Sequence, residues 1–456
     1  AGPAGMAAAT VAGRSGLRTG ILDEQATPGG QIYRSVSAGG AARGNILGQD
    51  SGVGARLVDE LLAGGAERID GATVWNVEAD GTVTWSRDGR ARQARARRII
   101  VATGTVERAM PVPGWTLPGV MTVGAGQILL KQSGVVPRRA VVAGCGPLIY
   151  LFAQQLIRAG TPPLALVETQ DWSAMRDAIG HVGGAIRGWR YLAKGMAMLR
   201  DIRGAGVRRY TGCRSIRIKG EARAEGISFL AGGRQVDIPC DTVLLHQGVI
   251  PNTQITRALR ADHVWDEQQH CFRPALDEWG RTSLPGIYVA GDGAGIGGAK
   301  AAVLHGALSA WHAARSLDAI SEAELSARNA EIEAALAAEL AVRPFLDALY
   351  PPAPEALRPH DDVIVCRCEE VTAGTVRRLA REGCVGPNQM KAFTRCGMGP
   401  CQGRYCGPVV TNLLAEVHER SPSEIGSYRI RAPLKPITLG ELASLDDEVR
   451  KRPDAA

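Results

Sequence analysis

The 456-residue sequence has no run of eighteen apolar residues without another reading. The nearest, residues 140–157, contains glycines, a proline and two glutamines and reads as strand, turn and helix. A membrane-spanning helix is therefore not expected. No basic start followed by an apolar segment is present either, so secretion is not expected and a reducing cytoplasm is. There is no tract of lysine or arginine, and a net charge of +7 spread over this length describes solvated faces rather than a nucleic-acid surface. No C-x-x-C or C-x4-C pair follows the glycine-rich opening stretch, which removes the dithiol of a disulfide reductase. Nor does a cluster of His, Tyr and Arg mark a pocket for an amine substrate, so no catalytic residue is assigned.

What is abundant is glycine, 57 of 456 residues, well above the usual share of about 7%. With plentiful alanine, it suits an α/β nucleotide-binding protein of tight turns and closely packed helices. The opening AGPAGMAAATVAGRSGLRTGILDEQ places Gly2 and Gly5 at the second and third glycines of G-x-G-x-x-G. A strand and first glycine ahead of them are missing from the sequence. An alanine-rich helix to about Ser15 and a strand over Leu17–Leu22 follow, and Asp23 falls eighteen residues after Gly5, where a carboxylate can accept from an adenosine ribose. A helix is expected over residues 52–70, then a meander over 72–100 with turns at Asp80-Gly81 and Asp88-Gly89. A second glycine turn, AVVAGCGPLIY, has Gly144, Gly146 and Pro147 opening a helix and Glu168 closing the next strand, but Ile149 stands where the third glycine would permit close packing under a pyrophosphate. Residues 185–203 read as a basic amphipathic helix whose aromatic and methionine side chains pack inward, with contact to a substrate or another subunit as the alternative. His246 reads equally as a flavin neighbour or a satisfied structural histidine. Prolines from Pro344 to Pro359 break a charged helix into a linker.

Six of the ten cysteines crowd into residues 366–406. Cys366 and Cys368 are too close to bond each other without strain but can point at one metal centre. Cys396, Cys401 and Cys406 follow at intervals of five among glycines that free the backbone to wrap a cluster. Four thiolates suit an iron–sulfur cluster or tetrahedral zinc, and the residues alone leave both open. Cys384 reads as a small buried hydrophobe on a helix.

This stretch resembles the [2Fe–2S] domain of bacterioferritin-associated ferredoxin. Its RCGMGPCQGRYC run, behind a flavoprotein, resembles the alpha (large) subunits of multi-subunit opine oxidases, D-amino-acid or hydroxyproline dehydrogenases and hydrogen cyanide synthase. In that pattern slightly more than thirty residues separate the cysteine pairs. The 32 residues between Cys368 and Cys401 fit where the 27 before Cys396 do not. The resemblance therefore implies Cys366, Cys368, Cys401 and Cys406 as ligands and Cys396 as a neighbour, with replacement of Cys406 by Cys396 left open. PGGQIY resembles the loop beside the flavin in two-dinucleotide-domain flavoproteins, ATG at residues 102–104 their second FAD contact, and VAGDGAG their late FAD motif. FAD is then expected against Ala1, Gly2, Pro3, Ala4 and Gly5, Asp23 and Glu24, Gly29, Gly30 and Gln31, Ala102, Thr103 and Gly104, and Gly291 and Asp292.

The implied fold is α/β, with two dinucleotide-binding domains of the glutathione/thioredoxin reductase type and a small helical [2Fe–2S] domain. The expected boundaries are 1–110 with 248–325 for the FAD domain, 111–247 for the NAD(P)-like domain, 326–360 for the helix and linker, 361–420 for the cluster domain and 421–456 for an extension that packs on the flavoprotein body or a partner. An adenine nucleotide held for structure at Gly144, Gly146, Pro147 and Glu168 is left open. The implied function is electron transfer by FAD and the cluster, while an amino-acid-oxidase-like FAD beta subunit oxidises the C–N bond of an amino acid, imino acid or opine, in some complexes beside a small ferredoxin-like subunit. The alternatives are an NAD(P)H-dependent ferredoxin-type reductase and a zinc-bearing structural subunit.

Overall fold

The computed structural model describes residues 1–36, 44–48 and 50–450. Residues 37–43 and 49 of the expected FAD domain, and 451–456 of the expected extension, lie outside the described residues.

Close packing of small side chains builds the first unit. The helix Pro3–Arg14 lies against the helix Ala299–Arg315, and a Cβ on Gly306 would stand 2.1 Å from the Ala4 carbonyl oxygen, so only glycine allows that approach. Strand Gly20–Asp23 runs parallel to Glu67–Asp70, and Ile99–Val101 runs parallel to Ile287–Val289. The first strand is shorter and later than the expected Leu17–Leu22. The helix expected over 52–70 ends instead at Ala63, because Gly64 and a left-handed Gly65 (φ 78°) stop it, and Glu67–Asp70 becomes a strand. The meander is present as Thr73–Val77, Thr82–Arg87 and Arg90–Arg95, with Asp88 and Gly89 both at positive φ in the second turn.

The second unit is a five-stranded parallel sheet in the order Arg208–Tyr210, Ala165–Glu168, Ala140–Cys145, Thr242–Gln247, Val120–Thr122. All six residues of Ala140–Cys145 are buried, as a parallel strand covered on both faces requires. Ile149, Phe152 and Leu156 of the helix Pro147–Arg158 are fully buried, each worth roughly 1.5–3 kcal/mol of transfer free energy. The strand order reverses between Ala140–Cys145 and Thr242–Gln247, which puts the ligand crevice of this unit at their C-terminal ends. The chain returns through Val249–Pro251, antiparallel to Thr105–Glu107.

The helix expected over 185–203 is broken at Gly188 into Val182–Arg187 and Trp189–Gly204. A Cβ on Gly188 would stand 2.5 Å from the Val342 Cβ, so the break is where another segment presses in. Met198 and Ile202 turn inward as expected. Trp189 and Met196 do not: they are 61% and 65% exposed, beside Trp172 at 80% and Ile186 at 66%. The face was legible; its cover was not.

The proline-rich linker is docked rather than free. It forms the helix Arg343–Leu349 and the single turn Pro354–Leu357, and the Ala353 N–H donates to Gln247 Oε1 at 2.9 Å. The cysteine unit follows as a short hairpin, Ile364–Cys366 with Val371–Thr372, and the helices Ala373–Arg381, Pro387–Thr394 and Cys406–His418. Its core joins Val376, Met390, Val410, Leu413 and Leu414. The extension packs on the first unit: the Leu434 N–H donates to the Trp75 carbonyl at 2.7 Å, the Ala91 N–H to Ser444 Oγ at 2.8 Å, and Lys435 pairs with Glu24 at 2.8 Å. Among the described residues no helix is long and apolar enough to cross a membrane.

Candidate functional site

The glycines of the first unit meet through backbone contacts. The Gly29 N–H donates to the Ala1 carbonyl at 2.8 Å, and a Cβ on Gly30 (φ 59°) would stand 2.7 Å from the Gly2 Cα. Pro3 opens the helix Pro3–Arg14 without wasting a donor, leaving its N-terminus free to face an anion. Ala102 lies under Gly5, and a Cβ on Gly291 would stand 2.8 Å from the Ala4 Cβ. Thr103 Oγ1 donates to the Asn252 carbonyl at 3.2 Å, and the Gly104 carbonyl accepts from the Asn252 N–H at 2.9 Å. Asp23 accepts from the Gln25 N–H through Oδ1 at 2.9 Å, while its Oδ2 faces the Ala1 nitrogen at 2.7 Å. Asp292 accepts from the Gly297 and Gly298 N–H groups at 3.0 and 2.8 Å, organising the start of the helix Ala299–Arg315. Glu24 is engaged by Lys435. Gln31 leaves its side chain exposed while its carbonyl accepts from Lys131. Lys131 ties this loop to the second unit, and burial lowers its ammonium to about 8. Walls without Cβ atoms beside a helix N-terminus fit a dinucleotide's pyrophosphate.

The second glycine turn is built differently. Gly144 is demanded by the sheet, because a Cβ there would stand 1.6 Å from the His246 carbonyl oxygen. Glu168 is fully buried and already bonded to Tyr150 Oη at 2.7 Å and to Arg209 Nε and Nη2 at 2.6 and 2.9 Å. The linker crosses the crevice at the strand-order reversal: the Pro351 carbonyl faces Cys145 Sγ at 3.4 Å, and the Tyr350 ring lies 6.2 Å from that of Tyr150. The carboxylate and the crevice that would receive a nucleotide are thus occupied by the chain's own groups. His246 is buried with Nδ1 2.6 Å from Glu107 Oε1, and Glu107 also accepts from the Gly124 N–H at 2.9 Å. This pair joins the outgoing strand Thr105–Glu107 to the sheet of the second unit, and nothing but the geometry announces it.

At the cysteine stretch, the sulfurs of Cys366, Cys396 and Cys406 lie within 4.8 Å of one another, all buried. Cys368 is exposed and Cys401 half-buried; they lie beside each other, and the Cys401 N–H points at the Cys368 sulfur. Hence two of the four expected ligands, Cys366 and Cys406, share the inner group with Cys396, which spacing had set aside. The other two form an outer pair. The thiols of Cys396 and Cys406 donate to Cys366 and, with the Gly397 and Glu369 N–H groups, hold its thiol far below the usual range. The same mutual bonding pushes Cys406 up. A metal cation would strip the protons from such a set. Gly399 is required by Cys368, whose Cβ would stand 2.3 Å from a Cβ there. Gly397 and Gly403 are required by Tyr428, whose ring atoms would stand 2.7 and 2.5 Å from Cβ atoms at those positions. Tyr428 was missed in the sequence: it lies in the extension, 22 residues after Cys406. Its hydroxyl is buried and without a well-formed hydrogen bond. Clustered thiols, a glycine cradle and an orphaned donor fit a cluster with acceptor sulfides.

The remaining thiols are solitary. Burial pushes Cys145 to about 11, Cys213 to about 12 and Cys271 to about 12, which leaves them inert. Cys384 is buried as expected, but in the turn after the helix Ala373–Arg381 rather than on it. The first two units and the cysteine unit share a cavity lined by Val106, Asn252 and Thr253 on one side and Gln402, Gly403 and Arg404 on the other. Asn252 is the residue bonded to Gly104, so one side of this cavity adjoins the glycine cradle.

Comparison with known proteins agrees with both units. The family described as "Pyridine nucleotide-disulphide oxidoreductase" matches residues 1–316, and "BFD-like [2Fe-2S] binding domain" matches 364–416. The chain is 45% identical over 452 residues to an opine oxidase subunit of Rhizobium meliloti (strain 1021), covering 98% of this chain and 97% of that protein. It is 28% identical over 466 residues to hydrogen cyanide synthase subunit HcnB of Pseudomonas aeruginosa, covering 98% of each. Among solved structures, L-proline dehydrogenase from P. horikoshii superposes with a TM-score of 0.71 at 20% identity, covering 97% of this chain and 77% of that one.

Proposed function

This chain belongs to the pyridine nucleotide-disulphide oxidoreductase family and carries a BFD-like [2Fe-2S] binding domain, and from that premise we propose that it is the electron-transferring FAD/[2Fe–2S] subunit of a heteromeric dehydrogenase or oxidase acting on the C–N bond of an amino acid, imino acid or opine. The substrate-oxidising site lies on an amino-acid-oxidase-like partner subunit. The observation that carries the reading is the shared cavity: Gln402, Gly403 and Arg404 of the cysteine loop face Asn252, itself bonded to Gly104 of the glycine cradle.

Bound FAD supplies two-electron chemistry and a [2Fe–2S] cluster one-electron chemistry, so the pair suits a relay. This chain's residues hold and insulate them. Gly2, Gly30 and Gly291 let the loops pack against one another and against Ala4 at the helix start that would face a pyrophosphate, and Asp292 fixes the donors of the neighbouring helix start. Cys366, Cys368, Cys401 and Cys406 are the proposed ligands, with Cys396 against the inner two. The Trp115 Nε1–H donates to the Ile364 carbonyl at 2.7 Å, tethering the hairpin that carries Cys366 to the second unit. The Arg257 guanidinium bonds Ser427 and so joins the body to the extension next to Tyr428, which packs on the cysteine loop.

Three features support a partner for the chemistry. No His, Tyr and Arg constellation forms an amine pocket in the sequence. The relatives named above are themselves subunits. Trp172, Ile179, Ile186 and Trp189 expose apolar surface of the kind that marks protein contact. The test is to purify the chain alone and with its partner. Alone it is expected to contain FAD, iron and sulfide and to show almost no oxidation of amino acids or opines, with oxidation and acceptor reduction appearing when the partner is added. Strong turnover by the single chain would overturn the reading.

A further inference from the structure

Tyr428 lies outside the residues matched by the [2Fe-2S] domain description, yet it closes the cysteine loop. It is 4% exposed. Its ring occupies the space that side chains at Gly397, Gly403 and Gly407 would need, with Cβ atoms there coming within 2.7, 2.5 and 3.3 Å of ring carbons. The flanking backbone is clamped: Asn388 Nδ2–H donates to the Ser427 carbonyl at 3.3 Å, Asn388 Oδ1 accepts from the Arg429 N–H at 2.7 Å, and Lys391 donates to the Arg429 carbonyl at 3.2 Å. The Lys391 ammonium also sits 5.1 Å from the centre of the ring. The hydroxyl at the far end of this fixed ring is buried, makes no well-formed hydrogen bond and is directed at the Cys396 sulfur, on the side of the inner sulfur group.

A buried hydroxyl without a well-formed hydrogen bond costs about 1–3 kcal/mol, which a stronger sulfur acceptor beside it would recover. A phenol is a donor throughout the working pH range, and a cation over its ring draws electron density away from the O–H. Thiolates and sulfides are acceptors that become stronger acceptors as a cluster is reduced, because reduction adds negative charge. We propose that, with the cluster held in the inner sulfur group, Tyr428 donates its O–H past Cys396 to the sulfurs held at Cys366 and Cys406 and thereby raises the reduction potential of the cluster, making the extension part of the electron-transfer site. The inference rests on reading residues 366–406 as a cluster site.

The experiment is a redox titration of the purified holoprotein and of Tyr428→Phe, followed by visible and EPR spectra, with iron, sulfide and FAD measured on the same samples. Phenylalanine keeps the ring in its glycine cradle and removes only the donor. The expected result is unchanged cofactor content and a lower potential, with the reduced-to-oxidised ratio at a fixed poise falling about tenfold, which is about 59 mV for a one-electron couple. An exchangeable proton coupled to the reduced cluster is expected in the wild-type protein and not in the variant. Lys391→Gln, which retains the hydroxyl, is expected to shift the potential the same way by less. A loaded Tyr428→Phe protein with an unmoved potential would overturn the inference while leaving the cluster reading intact, and so would a variant that keeps FAD but loses its iron, since the hydroxyl would then be structural. Wild-type protein with FAD and no iron would overturn the cluster reading itself.

Discussion

Gly30 stands against Gly2 so closely that a Cβ on the former would lie 2.7 Å from the Cα of the latter, and its φ of 59° is one that alanine adopts at a cost. Left-handed backbone costs an L side chain about 1–2 kcal/mol, and the clash is with backbone, which cannot rotate away. Gly30→Ala is therefore expected to part the two loops and weaken FAD retention at least tenfold, equivalent to about 1.4 kcal/mol. Flavin absorbance after desalting checks this, and iron content is expected to stay unchanged because the cysteine unit has its own core.

The engagement of Glu168 by Arg209 and Tyr150, with the linker over Cys145, bears on the electron donor. NADH and NADPH are expected to leave the flavin of the purified chain oxidised on mixing under anaerobic conditions. Rapid bleaching by either would restore the nicotinamide-dependent reductase as the better reading. Glu168→Gln is expected to cost about 2 kcal/mol of stability, the loss of a charge-assisted pair, without creating nicotinamide binding, as denaturation and fluorescence titration would measure.

These two sites show what was legible in the sequence. Backbone that must approach backbone leaves a glycine, so Gly2, Gly30, Gly144 and Gly291 could be read as turns. Ile149 signalled a departure at the second turn. What the departure consists of could not be read, because the residues that fill the crevice, Tyr350 and Pro351, come some two hundred residues later. Tyr428 is hidden for the same reason: the glycines Gly397 and Gly403 advertise a close approach but not by what. Periodicity found an apolar face near Trp189 and could not say that it stays uncovered. Spacing could not place Cys396 in the inner group, because Arg395 and Gln402, both in the left-handed region, fold the loop back on itself.

His263 gives a pH dependence. Burial and the Arg257 charge lower its imidazole from the ordinary value of 6.5 to about 4, while its Nδ1 bonds the Ala261 carbonyl at 2.8 Å. In the unfolded chain the ring takes up a proton near pH 6.5, and in the folded protein only near 4. Stability is then fully present above about pH 6.5, falls as the pH drops toward 4 and levels off below it. The full effect is on the order of 3 kcal/mol. Chemical denaturation at pH 7.5, 5.5 and 4 checks the slope, and His263→Asn is expected to flatten it. A slope unchanged in that variant would assign the acid sensitivity elsewhere.

The ligand set separates by substitution. Replacing any of Cys366, Cys368, Cys401 or Cys406 by serine is expected to remove most of the iron, and Cys396→Ala is expected to keep it with an altered spectrum. Iron and sulfide analysis beside EPR decides between this set and one built on the inner group. Loss of iron in Cys396→Ala with retention in Cys401→Ser would make Cys366, Cys396 and Cys406 the frame of the site.

The exposed face at residues 172–203 is where a partner is expected. Trp172 and Trp189 alone, at 80% and 61% exposure, offer on the order of 250 Å² of aromatic surface. Around them Arg176, Arg187, Arg190, Arg200 and Arg203 are exposed, against a single exposed acid in this stretch, Asp177. Two copies of such a face would repel, so a second copy of this chain is a poor occupant, and an apolar patch rimmed by carboxylates on the proposed partner subunit is a good one. Buried aromatic anchors at interfaces typically cost about 2 kcal/mol or more on removal. The double variant Trp172→Asp, Trp189→Asp is therefore expected to lose the partner during gel filtration and to lose substrate-driven acceptor reduction, while retaining FAD, iron and direct reduction by dithionite. A double variant that still elutes with its partner at full stoichiometry would place the contact on another face.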